Sequence, residues 1–230
     1  MKAMDVAASH RGARPGRARR ATCLASPVLA LLAGCGATQF QVQPSIPEPL
    51  VTRIPVVVGL HLPAAFREAV HREQHEGSEY VIEIGKAQTE GFTRLMNAMF
   101  TRAVPVATVG DGAATDPEIR GVLEPVLQEF SFVTPADTGT PVYAVSLKYR
   151  INAYTPAGEL ADSWTFTGYG AQPGSQVPGQ GKALLQQAAT NAMRDAGAKL
   201  AVEFREQAIV RGLIAAPAGS TPPAEVQPPP

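Results

Sequence analysis

The sequence predicts an α+β domain, a mostly antiparallel sheet with two main helices packed on one of its faces. Three observations carry that prediction. Residues 142–154 alternate apolar and polar side chains without a break, as a strand with one wet side does. Residues 86–101 and 182–207 repeat their apolar side chains at helical spacing. Turn-forming clusters rich in Pro, Gly and Asp separate three long extended runs, and helices laid on one face of such a meander are the economical packing.

Taken in order, Ile54 to Leu62 is a β-branched run that reads as a buried strand. Pro63 to Gln74 is expected to be a short helix with Pro63 in its first turn. Tyr80, Ile82 and Ile84 alternate as a second strand ended by Gly85. In residues 86–101, Phe92, Leu95, Met96, Met99 and Phe100 fall on one helix face, and 103–109 follows as a third strand. Residues 121–133 are expected to carry Val122, Val126, Phe130 and Phe132 on one face. After the turn 134–141, Tyr143, Val145, Leu147, Tyr149, Ile151 and Ala153 share a face, opposite Ser146, Lys148, Arg150 and Asn152. Residues 155–158 turn the chain, and 160–169 returns with Trp164 and Phe166 inward. The last helix, 182–207, presents Leu184, Leu185, Ala188, Ala192, Ala196, Leu200 and Phe204 as an apolar stripe whose alanines permit close approach to the sheet.

The 230 residues suffice for one ordinary domain with tails. Lys and Arg number 20, as do Asp and Glu, so no basic excess marks a nucleic-acid binder. The balance is uneven along the chain. Residues 1–34 hold six basic residues and one acid, Asp5, which leaves 14 basic against 19 acidic, or −5, in residues 35–230. No apolar run reaches the roughly 18–20 residues of a spanning helix.

Arg19-Arg20 precedes thirteen mostly apolar residues, 21–33, and then Gly34-Cys35. Charge followed by a short apolar run is the layout of a secretory signal. Leu32-Ala33-Gly34-Cys35 looks like a bacterial lipobox, which implies cleavage between Gly34 and Cys35 and acylation of the Cys35 thiol. Two or three acyl chains, at about 0.8 kcal/mol per buried CH₂, hold a protein on a membrane essentially permanently. The expected organisation is a signal peptide over 1–34, lipidated Cys35 and an extended tether over 35–53, one α+β domain over 54–212, and a disordered Pro-rich tail over 213–230. Gly36, not aspartate, follows the cysteine, which by the same resemblance implies the outer membrane, with the domain on its periplasmic face. Apart from Cys35 the only thiol is Cys23, in the signal, so the body is expected to fold without disulfides.

Candidate chemistry is sparse. His71-Arg72-Glu73-Gln74-His75 places two histidines four apart but lacks the H-E-x-x-H order, and only His61 or Glu76 could add a ligand. It reads as a charged hydrophilic loop, with no metal and no cofactor expected. The glycines at 168, 170, 174, 179 and 181 precede a helix without a Walker Lys-Ser/Thr pair, and read as a connection. No G-x-S-x-G motif occurs, so no catalytic residues are assigned and the protein is expected not to be an enzyme.

The layout resembles small outer-membrane lipoproteins of Gram-negative bacteria, of the broad sort that includes YajG-like and lipopolysaccharide-assembly LptE-like proteins. The resemblance is carried by the lipobox at Cys35, by Tyr149-x-Ile151-x-x-Tyr154-x-x-x-Gly158 followed by Trp164 and Gly168, and by the alanine-rich run 188–196. It implies a non-enzymatic accessory or assembly factor of an envelope complex, anchored through Cys35; the wet sheet face, marked by Lys148 and Arg150, or an exposed strand edge is where a protein partner is expected to dock. The alternative is a binding module for a lipid, glycan or peptidoglycan fragment, with Trp164, Tyr143 and Tyr169 lining a cleft.

Overall fold

The computed structural model describes residues 37–43, 46, 49–75, 77–174 and 179–210, with side chains described as far as Phe204. The signal segment 1–34, Cys35 and the tail 213–230 lie outside the described residues. In chain order the elements are β1 (Thr38–Gln41), β2 (Ile54–Leu60), α1 (Ala64–Arg67), β3 (Val70–His75), β4 (Ser78–Glu83), α2 (Gly85–Met99), β5 (Phe100–Pro105), α3 (Gly112–Thr115), β6 (Ile119–Val133), α4 (Pro135–Thr138), β7 (Val142–Tyr154), β8 (Leu160–Pro173) and α5 (Gly181–Val210).

The fold is α+β. Five strands form one sheet in the order β5-β2-β6-β7-β8, and three form a second in the order β1-β4-β3. The long ladders β6/β7 and β7/β8 are antiparallel, as the meander requires, while β2 lies parallel to both β5 and β6. In the smaller sheet β3 and β4 form an antiparallel hairpin, and β1 adds parallel to β4.

The core lies on one face of the large sheet, beneath α2 and α5. Val145, Leu147, Tyr149, Ile151 and Ala153 are buried there, as the alternation in residues 142–154 predicts. Helix α5 rests directly on β8, because a Cβ at Gly168 or Gly170 would overlap the carbonyl oxygens of Ala192 and Ala188. The alanine stripe of α5 and the glycines of β8 therefore define one close contact between backbones. Larger side chains fill the ends, where Phe204 meets Trp164 and Phe100 edge-on at 5.0 and 5.3 Å. Phe166 stacks on Tyr149, and Phe92 of α2 meets the same tyrosine at 5.2 Å. Buried Gln88 donates to the Phe66 carbonyl and accepts from the Tyr149 hydroxyl at 3.2 Å.

Three expectations need correction. Part of the segment expected as a free tether belongs to the domain: β1 pairs with β4, and Phe40, Val42 and Ile46 are buried in the core. Its apolar residues are too few for a periodic signal, yet strand pairing uses the free edge of β4. The helix expected over 63–74 is only the four-residue α1, after which residues 70–75 form β3. The Ala69 carbonyl there accepts the N–H groups of Ile84 and Gly85, and the hairpin turn at Gly77, with φ of 77°, pairs 70–75 with β4. The third correction concerns β6, whose four apolar markers do not share a face. Leu127 pairs with Tyr149 but Glu129 pairs with Lys148, so Gln128 is an extra residue, a β-bulge. Val122 and Val126 consequently face away from the helices, while Phe130 and Phe132 enter the core.

Candidate functional site

Among the described residues, the face of the large sheet turned away from α2 and α5 is covered at one end only. There Val106, Ile119 and Val122 form a small apolar cluster with Val57, Val104, Val109 and Tyr154. Beyond Tyr154 the face is polar. Along β7 it presents Asn152, Arg150, Lys148 and Ser146, flanked on β6 by Glu124, Val126, Glu129 and Ser131 and on β8 by Ser163, Thr165, Thr167 and Tyr169. The strict alternation of β7 places both predicted face residues, Lys148 and Arg150, on this surface. Lys148 is exposed directly opposite Glu129. Arg150 is half-buried between Val126 and Thr165, and its Nε is buried without a hydrogen-bond partner.

Glu124 is the polar hub of this face. Its Oε2 accepts from Asn152 Nδ2 and from the Tyr154 hydroxyl, both at 2.8 Å, and His61 Nε2 lies 3.9 Å from its Oε1. Burial pushes the Tyr154 hydroxyl above its ordinary value, and the hydrogen bond and charge of Glu124 add to that. A phenol held as a donor to a carboxylate fixes the covered end of the face.

The free edge of the sheet at β8 is guarded. Asp195 of α5 accepts the Tyr169 N–H at 2.9 Å, and Lys199 Nζ donates to the Thr167 carbonyl at 2.7 Å. The two side chains pair with each other at 2.8 Å, and Lys199 lies 5.0 Å from the Tyr169 ring centre. Edge groups open to strand addition are thereby occupied at residues 167–169.

The histidines at 71 and 75 do share a face, that of a strand. They flank Glu73 and point towards an aromatic floor: His71 lies 4.7 Å from Phe130, and His75 lies 5.1 Å from Phe132. His71 Nε2 donates to Glu73 at 2.9 Å, His75 Nδ1 is 3.5 Å from the same carboxylate, and His75 Nε2 donates to Asp137 at 2.8 Å. The Thr134 N–H holds the Asp137 carboxyl below its ordinary value against desolvation, and the Thr134 hydroxyl and His75 add to the effect. These groups form a chain of pairwise contacts that ties β3 to α4. Among the described residues no group of three or more His, Cys, Asp or Glu side chains could hold a metal ion. His61, considered above as a further ligand, instead faces Glu124, and Glu76 lies outside the described residues.

The three aromatics expected to line one cleft are separated. Trp164 packs on Phe204 in the core, and Tyr169 is exposed beneath Lys199 on the sheet edge. Tyr143 alone lines a cleft, of about 430 Å³, together with Tyr80, Thr38, Thr134, Lys182 and Leu185. Gly179 and Gly181 of the glycine-rich connection border it, and Gly181 approaches the Tyr143 hydroxyl so closely that a Cβ would clash. Gly34 and Cys35, the predicted cleavage and lipidation residues, lie outside the described residues, and no described helix is long and apolar enough to cross a membrane.

The Glu124 hub and the His75–Asp137 contact, 62 residues apart in sequence, escape a reading by motif. Glu124 at an apolar-flanked strand position was the one local signal, since a carboxylate there needs partners.

No family model matches the sequence, and no curated protein matches it. Among solved structures, it is similar to a Xanthomonas campestris protein of the DUF330 family, at 13% identity and a TM-score of 0.43, over 75% of this chain and 99% of that one. It is also similar to a minor lipoprotein from Acinetobacter baumannii, at 8% identity and a TM-score of 0.40, over 68% of this chain and 95% of that one. With TM-scores below 0.5, these likenesses assign no family.

Proposed function

We propose that this chain is a lipid-anchored protein of the outer membrane, facing the periplasm, that serves an envelope complex as a non-enzymatic accessory or assembly factor. The observation that carries the docking part is the two-sided sheet. One face is filled by α2 and α5, while the Lys148/Arg150 surface of the other has no covering element among the described residues. Leu32-Ala33-Gly34-Cys35 supplies the anchor and the address.

The test is in-cell crosslinking of the full-length protein, with mass spectrometry of the captured partner and of the N-terminal peptide. An acylated Cys35 and one dominant envelope partner are expected, with crosslinks mapping to residues 146–152 and 163–169. An unmodified Cys35 removes the anchor. Crosslinks confined to the α2/α5 side remove the docking face.

A second reading rests on the cleft between Tyr80, Tyr143 and Lys182, whose volume suits a small glycan or peptidoglycan fragment. Native mass spectrometry of the unlipidated body then shows a carried mass that Tyr143→Ala abolishes; a clean apo mass from envelope-expressed protein sinks this reading.

A further inference from the structure

We infer that the end of the domain bearing Thr38 and the turn 134–141 rests on the bilayer that holds the Cys35 acyl chains. The inference rests on the anchoring of Cys35 proposed above and adds which surface of the body meets lipid. It does not depend on the docking partner.

Cys35 stands three residues before Thr38, the first residue of β1. The start of β1 is fixed to the body, because the strand pairs with β4 from Thr38 to Gln41 and both Phe40 and Val42 are buried. Three residues reach at most about 11 Å even when fully extended. A cysteine whose acyl chains lie in a membrane therefore holds Thr38 close to the lipid headgroups.

Topology decides which surface comes with it. Thr38 pairs with Tyr80, and the two line the cleft together with Thr134, Tyr143 and Lys182, from the turn after β6, the start of β7 and the start of α5. Between residues 133 and 143 the sequence has a single charged residue, Asp137, whose carboxylate is turned to the Thr134 N–H and, at 2.8 Å, to His75. Val133, Ala136, Thr140 and Pro141 are exposed on this turn. Lys182, exposed beside the cleft, is a cation that suits lipid phosphates, and the exposed Glu79 near the start of β4 offsets it in part. Tyrosines, a lysine and uncharged turns are the composition that settles at a membrane–water interface. The opposite end of the sheet is built differently. There Arg102 pairs with Asp116 and Glu118 at 2.7 and 2.9 Å, and Arg120 and Glu159 are exposed. Strand β7 runs from one end to the other over 13 residues, Val142 to Tyr154, a length of about 40 Å at roughly 3.3 Å per residue.

Residues 36–230 contain no cysteine, so one introduced there is a unique site for a thiol label beside the acylated Cys35. Ala136 and Ala157 are exposed, one at each end of the sheet. Full-length lipidated protein carrying Ala136→Cys or Ala157→Cys is labelled with a fluorophore. It is then reconstituted into vesicles of phosphatidylethanolamine and phosphatidylglycerol that contain a headgroup-nitroxide lipid. Thr140→Cys repeats the first position should Ala136→Cys misfold.

With the two ends about 40 Å apart, quenching by the nitroxide is expected to be at least about fivefold greater at 136 than at 157. Equal quenching at the two positions, or greater quenching at 157, overturns the inference. A label at 136 shielded from both the lipid nitroxide and aqueous iodide overturns it too, because a second copy of the chain then covers this end. Mass spectrometry of the N-terminal peptide separates these failures from failure of the anchor. An unmodified Cys35 removes the anchoring reading and this inference with it, whereas an acylated Cys35 with equal quenching removes the seated end alone.

Discussion

On the inner face of the large sheet Leu147, Tyr149 and Ile151 are buried against two helices, whereas Lys148 and Arg150, one residue away along the same strand, meet solvent. The inner face is closed by shape. Glycines on β8 admit the α5 backbone, the buried Tyr149 hydroxyl donates to Gln88, and on α2 the Thr89 Oγ1 is buried without a hydrogen-bond partner. The outer face is closed at one end around Glu124 and is open in the middle, where Lys148 is exposed and Arg150 is half-buried. Each side leaves a buried polar atom without a partner, Thr89 Oγ1 on α2 and Arg150 Nε on β7, so the two faces differ in what covers them and not in how completely their polar groups are paired.

The comparison can be broken most severely at the bulge. Deleting Gln128 removes the extra residue, so either Phe130 and Phe132 turn outward or the strand slips against β7. A destabilisation on the order of 5 kcal/mol is expected, from exposure of two phenylalanines and burial of their polar neighbours. Urea unfolding of the body checks it, and unchanged stability would show that the faces are not set by the bulge. Next in size, Phe204→Ala should cost about 3–5 kcal/mol by leaving Trp164 and Phe100 unsupported. Lys148→Ala on the outer face should stay within about 0.5 kcal/mol of the wild type. Similar losses from both would erase the distinction between the faces.

A smaller effect sharpens the account of the inner face. Tyr149→Phe leaves Gln88 Oε1 without its donor in the core and should cost about 1–2 kcal/mol. A neutral result would mean that Gln88 finds another partner.

The smallest effect concerns the guarded edge. Desolvation raises the Asp195 carboxyl, but the hydrogen bonds from Lys199 and the Tyr169 N–H, with the lysine charge, hold it below its ordinary value of 3.8. A carboxyl lowered by folding contributes stability that is present above its unfolded value and is lost as pH falls through the folded one. The advantage of the wild type over Asp195→Asn should therefore be constant above about pH 5 and shrink below pH 4 in acid unfolding curves. An advantage that persists unchanged to pH 2 would assign the contact to packing.

Much of the large sheet is legible in the amino-acid order because its signals are local. The alternation of 142–154 fixes which side chains of β7 face inward, and with them the placement of Lys148 and Arg150 on the open surface. The helical spacing of 86–101 and the alanines from 188 to 196 give α2 and α5. The Leu-Ala-Gly-Cys sequence at 32–35 is likewise a local signal, and it alone gives the predicted address.

Tertiary structure decided what periodicity cannot encode. Residues 70–75 have a weak intrinsic preference, and pairing with β4 over the Phe130/Phe132 floor makes them a strand. Residues 38–41 become β1 because β4 offers an unpaired edge. One extra residue at 128 reverses the faces of β6, because side-chain direction in a strand repeats every two residues and a single insertion inverts it. The Glu124 hub, the His75–Asp137 contact and the burial of the Arg150 Nε all depend on groups from different elements. Their pairing follows from which strands meet, and the chain settles that by burying its apolar faces together.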